Sequence, residues 1–244
     1  MAAIEIKELK KVYKDVTAVD GISLSIEEGE LFALLGVNGA GKTTTIKMLS
    51  TLASPSGGEA FICGNPISGD KYAIRELIDI SMQETAVARK LTVDENIEFY
   101  ARLSGQGKEE IAQSKALLYE TFGLDEVKNR RACKLSGGWQ RKLSIALALV
   151  SRPKVLFLDE PTLGLDVLAR RELWKTISSL KGKMTVILTT HYMEEAEALA
   201  DRIGIMNRGR LMFVGTKEEL FAKTGKNSVE EAFIETVAGG EPNA

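Results

Sequence analysis

The run Gly36-Val37-Asn38-Gly39-Ala40-Gly41-Lys42-Thr43 constrains this 244-residue chain more than any other feature. An apolar stretch, Leu31-Phe32-Ala33-Leu34-Leu35, precedes it, and Thr44-Thr45-Ile46-Lys47-Met48-Leu49, which reads as helix, follows. Strand, G-x-x-x-x-G-K-[ST], then helix is the order that a phosphate-binding loop requires. Glycines at 36, 39 and 41 permit backbone conformations that a Cβ would forbid. Residues Gly36 to Gly41, with Thr43 and Thr44, then present N–H groups to phosphate oxygens at a helix N-terminus. Lys42 is expected to reach the β- and γ-phosphates, and the Thr43 hydroxyl to bind Mg²⁺. A chance glycine turn is the alternative; the flanking strand and helix favour a nucleoside triphosphate site.

Around this loop the chain reads as α/β. Residues 4–35 are β-rich: Ile22-Ser23-Leu24-Ser25-Ile26 alternates, and Glu28-Gly29-Glu30 turns into the apolar strand. The helix after the loop is expected to run to about Ala53, followed by strands at Glu59–Cys63 and Ile78–Met82. The middle third changes character. Thr92-Val93-Asp94-Glu95 is a capping box, and Val93, Ile97, Tyr100 and Leu103 follow at helical spacing. Further helices are expected over Lys108–Phe122 and from Ser136, so a helical lobe at about 84–150 is spliced into a core of about 4–83 and 155–215. Buried parallel strands return at Val155–Leu158 and Thr185–Leu188, with a helix from Val167 to Leu180 between them. Asn207-Arg208-Gly209 signals a hairpin. Capped helices from Thr216 and Ser228 form a tail over 216–244 beside a domain spanning 1–237. The stripe Val229, Ala232, Phe233, Thr236 and Val237 is expected to pack on its own domain.

Formal net charge is −2, with acidic and basic residues intermixed, so no nucleic-acid partner is expected. Cys63 and Cys133 stand far apart and outside metal-ligand spacing, which reads as reduced thiols. No apolar run approaches 18 residues, and the expectation is a cytoplasmic chain.

Two carboxylates, Asp159 and Glu160, directly follow the strand Val155–Leu158. In a parallel sheet, ligands gather at the carboxyl ends of the strands. Asp159 then suits the Mg²⁺ shell, and Glu160 suits a general base for the attacking water, although adjacent acids are often a solvated strand end. Leu135-Ser136-Gly137-Gly138-Trp139-Gln140 opens a helix that Ser136 can cap, with N–H groups at its positive end. Taken alone this is an ordinary capped loop. Beside a lysine loop it suggests a composite site completed by a second molecule.

Together these segments resemble the ATP-binding subunits of ABC transporters, from residue 4 to about 237. LSGGWQ is similar to the signature motif of that family. The resemblance implies a phosphate-loop ATPase fold with a RecA-like parallel-sheet core, an N-terminal antiparallel β subdomain and an inserted helical lobe. It implies ATP with Mg²⁺ held head to tail between two copies, with Ser136, Gly137, Gly138 and Gln140 of one copy covering the γ-phosphate held by the other. Tyr13 resembles the residue that stacks on adenine, its alternative being a half-buried strand tyrosine. Gln83 resembles the glutamine that touches Mg²⁺ and water, Asp166 the aspartate that joins the two sites, and His191 the switch histidine, although a lone histidine is more often structural. Val37, Trp139 and Val167 depart from the usual pattern without removing a reacting group. The implied partners are a second copy, as a homodimer, and a multi-spanning membrane permease that holds the chain on the inner face of the cell membrane.

The stretches Gly41–Leu49, Pro55–Ala60 and Glu172–Trp174 look most like bacterial exporter ATPases of the drug, antibiotic, sodium and lipid type. A soluble ABC-type ATPase acting in repair, translation or cofactor assembly is the alternative. Such proteins usually carry tandem nucleotide domains, coiled-coil insertions or a basic surface.

Overall fold

The computed structural model describes residues 2–239. Residue 1 of the expected domain and residues 240–244 of the expected tail lie outside them. The first strands, β1 (Ala2–Tyr13) and β2 (Val16–Glu27), pair antiparallel. After β3 (Leu31–Leu35) and α1 (Lys42–Leu49), β4 (Gly57–Ile62) pairs with the free side of β1, and β5 (Asn65–Pro66) ends that sheet. The helix α1 stops at Ser50, earlier than the expected Ala53, because Thr51 takes a left-handed φ of 61°.

A second sheet contains β3 at its centre. Its other strands are β6 (Ile78–Ser81), β7 (Val155–Asp159), β8 (Thr185–Thr190), β9 (Arg202–Asn207) and β10 (Arg210–Gly215). The spatial order is β10-β9-β3-β8-β7-β6, parallel throughout except for the β9–β10 hairpin. Alternation along these strands gives the sheet two apolar faces. Phe32, Leu34, Phe157 and Ile187 face the antiparallel sheet, packing with Ile4, Ile6, Leu9 and Ile46. Leu31, Ala33, Leu156, Leu158, Val186 and Leu188 face the helices. Burying a Leu, Val or Phe side chain is worth about 1.5–3 kcal/mol, so both faces stabilise the sheet that forms the site's floor.

The short helix α2 (Lys71–Arg75), capped by Asp70, precedes β6. Three helices lie between β6 and β7: α3 (Val93–Leu103), α4 (Lys108–Phe122) and α5 (Gly137–Ala148). The Thr92–Glu95 capping box forms as expected, with the Thr92 hydroxyl accepting from Glu95 N–H and the Glu95 carboxylate from Thr92 N–H. Ser136 stands at the N-cap of α5, but its side chain makes no capping bond and is exposed. That corrects the expected cap. Between β7 and β8 lies α6 (Val167–Ser178), and between β8 and β9 lies α7 (Met193–Leu199). The chain closes with α8 (Lys217–Thr224) and α9 (Val229–Ala238), whose Val229, Ala232 and Phe233 join the helix-side core. Among the described residues no helix is long and apolar enough to cross a membrane.

Candidate active site

Strand register brings three carboxyl ends to one level. Leu35 of β3 lies opposite Thr190 of β8, and Asp159 of β7 lies opposite Thr189. Segments leaving these strands therefore converge, and a cleft of about 580 Å³ opens there. That volume suits a small ligand. Asn38 to Thr44, Gln83, Glu160 and His191 line it, together with Val16, Thr17, Ala18, Leu163 and Arg208.

The phosphate loop is pinned on all sides. Gly36 N–H donates to Thr190 O at 3.2 Å, and Ala40 O accepts from Gly209 N–H at 2.9 Å. Gly209, in the β9–β10 turn, in turn accepts at its carbonyl from Asp20 N–H of β2 at 2.8 Å. Two of the glycines are required sterically. A Cβ on Gly36 would come within 2.4 Å of Met206 O, and one on Gly41, where φ is 106°, within 2.4 Å of Ala18 O.

Lys42 is almost fully buried, and its ammonium donates to Gly36 O at 2.6 Å and Val37 O at 3.2 Å. It also lies 3.3 Å from Glu160 Oε1. The other Glu160 oxygen, Oε2, is 2.7 Å from His191 Nδ1, so one carboxylate joins the loop lysine to the histidine after β8. Glu160 has a φ of 48°, a strained conformation for a residue other than glycine. Its N–H is held by the Thr189 hydroxyl and carbonyl, both at 3.1 Å. Strain of order 1–3 kcal/mol at such a position is characteristic of functional sites.

Asp159 is buried, and its Oδ1 accepts from the hydroxyls of Thr43 at 3.0 Å and Thr189 at 2.6 Å. Its Oδ2 is buried with no hydrogen-bond partner. An orphan carboxylate oxygen beside a threonine hydroxyl fits Mg²⁺, which takes one or two protein oxygens and completes its shell with water and substrate phosphates. Among the described residues no group of three or more His, Cys, Asp or Glu could hold a metal by itself.

Other expected residues lie outside the cleft. Tyr13, 44% exposed, ends β1 with the Lys11 ammonium 4.7 Å over its ring; its register partner Val16 lines the cleft, but Tyr13 does not. Ser136, Gly137, Gly138 and Gln140 form the outward end of α5, where a Cβ on Gly138 would meet the Ala169 methyl at 3.1 Å. The side chain of Gln140 turns back to donate to Leu135 O. Asp166 caps α6, accepting from Leu168 and Ala169 N–H.

Sequence reasoning missed Arg141. From the first turns of α5 its guanidinium donates to Pro161 O (2.8 Å), Asp159 O (2.9 Å), Met82 O and Gln83 O. Burial pushes it down to about 10, against the charges of Asp159, Glu195 and Glu160, so it remains a cation at neutral pH. A single arginine on the apolar face of a helix was the available signal. Thr189 was also missed, although a hydroxyl in a fully buried strand needs a partner.

Comparison with known proteins agrees with this geometry. The family model described as ABC transporter matches residues 19–163. The chain is 41% identical over 226 residues to the daunorubicin/doxorubicin resistance ATP-binding protein DrrA of Streptomyces peucetius, covering 92% of this chain and 68% of that protein. It is 42% identical over 229 residues to the phospholipid-transporting ATPase ABCA3 of Homo sapiens, where the match covers 92% of this chain but spans only 13% of the relative. The solved structure of cbiO1 from Clostridium perfringens, part of the ABC transporter complex cbiONQ, superposes with a TM-score of 0.84 at 29% identity, covering 99% of this chain and 96% of that one. Loop, carboxylate pair, two-sheet fold and family match converge: the chain belongs to the ABC transporter family, as an ATP-binding and ATP-hydrolysing domain of α/β phosphate-loop fold.

Proposed function

We propose that the chain hydrolyses ATP clasped head to tail between two copies, and that this powers export by a separate multi-spanning permease on the cytoplasmic face of the cell membrane. The observation that carries the reading is the Glu160 carboxylate, shared between Lys42 at 3.3 Å and His191 at 2.7 Å, one residue after Asp159. In this reading Glu160 orients the attacking water and accepts its proton, Lys42 holds the β- and γ-phosphates, and His191 steadies Glu160 and the γ-phosphate. Thr43, Asp159 and Gln83 hold Mg²⁺, which offsets phosphate charge when bound. Gly36 to Gly41, with Thr44, cradle the phosphates, and Tyr13 stacks on the adenine.

The outward start of α5 supports the dimeric half of the proposal. Ser136, Gly137 and Gly138 offer a helix N-terminus away from this chain's own cleft, and they cover the γ-phosphate of a second copy, with Gln140 beside them and Asp166 joining the two sites. Loss of the γ-phosphate then releases the pair. Residues 84–150 form the lobe that meets the permease, near Gln83. The drug-resistance and phospholipid-transporting names of the relatives favour an amphiphilic cargo.

Replacing Glu160 with Gln tests the reading. Phosphate release should fall by about 10²–10⁴-fold, with ATP binding retained and an ATP-dependent dimer persisting on gel filtration. Turnover at the parental rate overturns the assignment of the base.

A further inference from the structure

Arg170 and Trp174 stand one turn apart on α6, so both leave the helix on one face. The Arg170 guanidinium carbon lies 4.4 Å from the centroid of the Tyr192 ring, and that ring lies 4.1 Å from the His191 ring. Trp174 Nε1–H donates to Glu195 Oε1 at 3.0 Å. The segment just after His191 is thus held by α6, the helix that Asp166 caps, at Tyr192 and again at Glu195.

Glu195 is an unusual occupant of that joint. It is fully buried in a seven-residue helix, α7. Burial pushes its carboxyl above the usual glutamate range, with the Glu160 charge pushing the same way and the Trp174 N–H pushing back. The cation near it, Arg141 of α5, spends its N–H groups on the carbonyls described above. Glu195 Oε2 and Thr162 Oγ1 are both buried without a hydrogen-bond partner. Burial disfavours a charge there, and a proton on the carboxyl removes the cost of a buried anion.

We propose that Glu195 is a positioning residue for hydrolysis: bonded to Trp174, it fixes the His191 turn to α6. His191 Nδ1 then stays on Glu160, and a displacement of the Leu163–Asp166 segment reaches the histidine through the helix. This rests on the reading that Glu160 and His191 act on ATP.

Steady-state phosphate release by the purified chain tests it. Trp174→Phe removes the N–H while keeping an aromatic ring, and should lower kcat about five-fold with the KM for ATP within about two-fold. Glu195→Ala should lower kcat about ten-fold, whereas Glu195→Gln should stay within about two-fold of the parent, since a neutral amide still accepts from Trp174 and can donate from its other end. A parental kcat for Trp174→Phe, a Gln variant as slow as the Ala variant, or a KM rising in step with the kcat loss each overturns the proposal. A Glu160→Gln control separates the failures. Normal turnover there removes the reading beneath this proposal, and the proposal with it; lost turnover there beside a parental Trp174→Phe defeats this proposal alone.

Discussion

The phosphate loop and the start of α5 are both glycine-rich entrances to a helix, and their surroundings differ completely. At the first, the lysine is 5% exposed and satisfied by loop carbonyls and Glu160, while the glycines are wedged against Met206 and Ala18. At the second, Ser136 is exposed, makes no capping bond, and leaves the helix N-terminus facing outward. The first is a finished cradle and the second half of a contact. Glycine content alone does not separate them; what separates them is how many neighbouring strands supply partners for the freed backbone groups.

Breaking the finished half should have the largest effect. Lys42→Ala removes a buried cation aimed at the cleft, and phosphate release should drop by about 10²–10³-fold, with ATP affinity falling as well. Breaking the outward half should be different in kind. Gly137→Glu places an anion at the helix N-terminus, and we expect release to fall by about 10–100-fold while equilibrium binding of a fluorescent ATP analogue to the monomer is unchanged. Equal loss of binding in both variants would erase the distinction. Arg141 joins the two regions, so Arg141→Met should cost roughly 3 kcal/mol of stability by stranding buried carbonyls, seen as a lowered denaturation midpoint. The smallest change lies outside both: Thr92→Ala should cost about 1 kcal/mol in chemical denaturation and leave turnover unaltered.

Much of the fold was legible because its signals are local. The fully buried strands β3, β7 and β8, the Thr92 and Thr216 capping boxes, and the Arg208-Gly209 turn each announce themselves within a few residues. Expectation failed where distant partners decide. The helix α7 went unread because it has seven residues, starts without a side-chain cap, and interrupts its inward face with Glu195. Asp159, Glu160, Lys42 and His191 were each singled out from position after a strand or in a loop, and register explains why they meet. No sequence pattern revealed that the Glu160 carboxylate lies between Lys42 and His191, that Arg141 reaches four carbonyls, or that Tyr13 stands apart from the cleft lining.

The stitch from Asp20 through Gly209 to Ala40 ties the edge of one sheet, the hairpin of the other and the phosphate cradle at a single knot. A load applied to a bound triphosphate is therefore shared by both sheets at once.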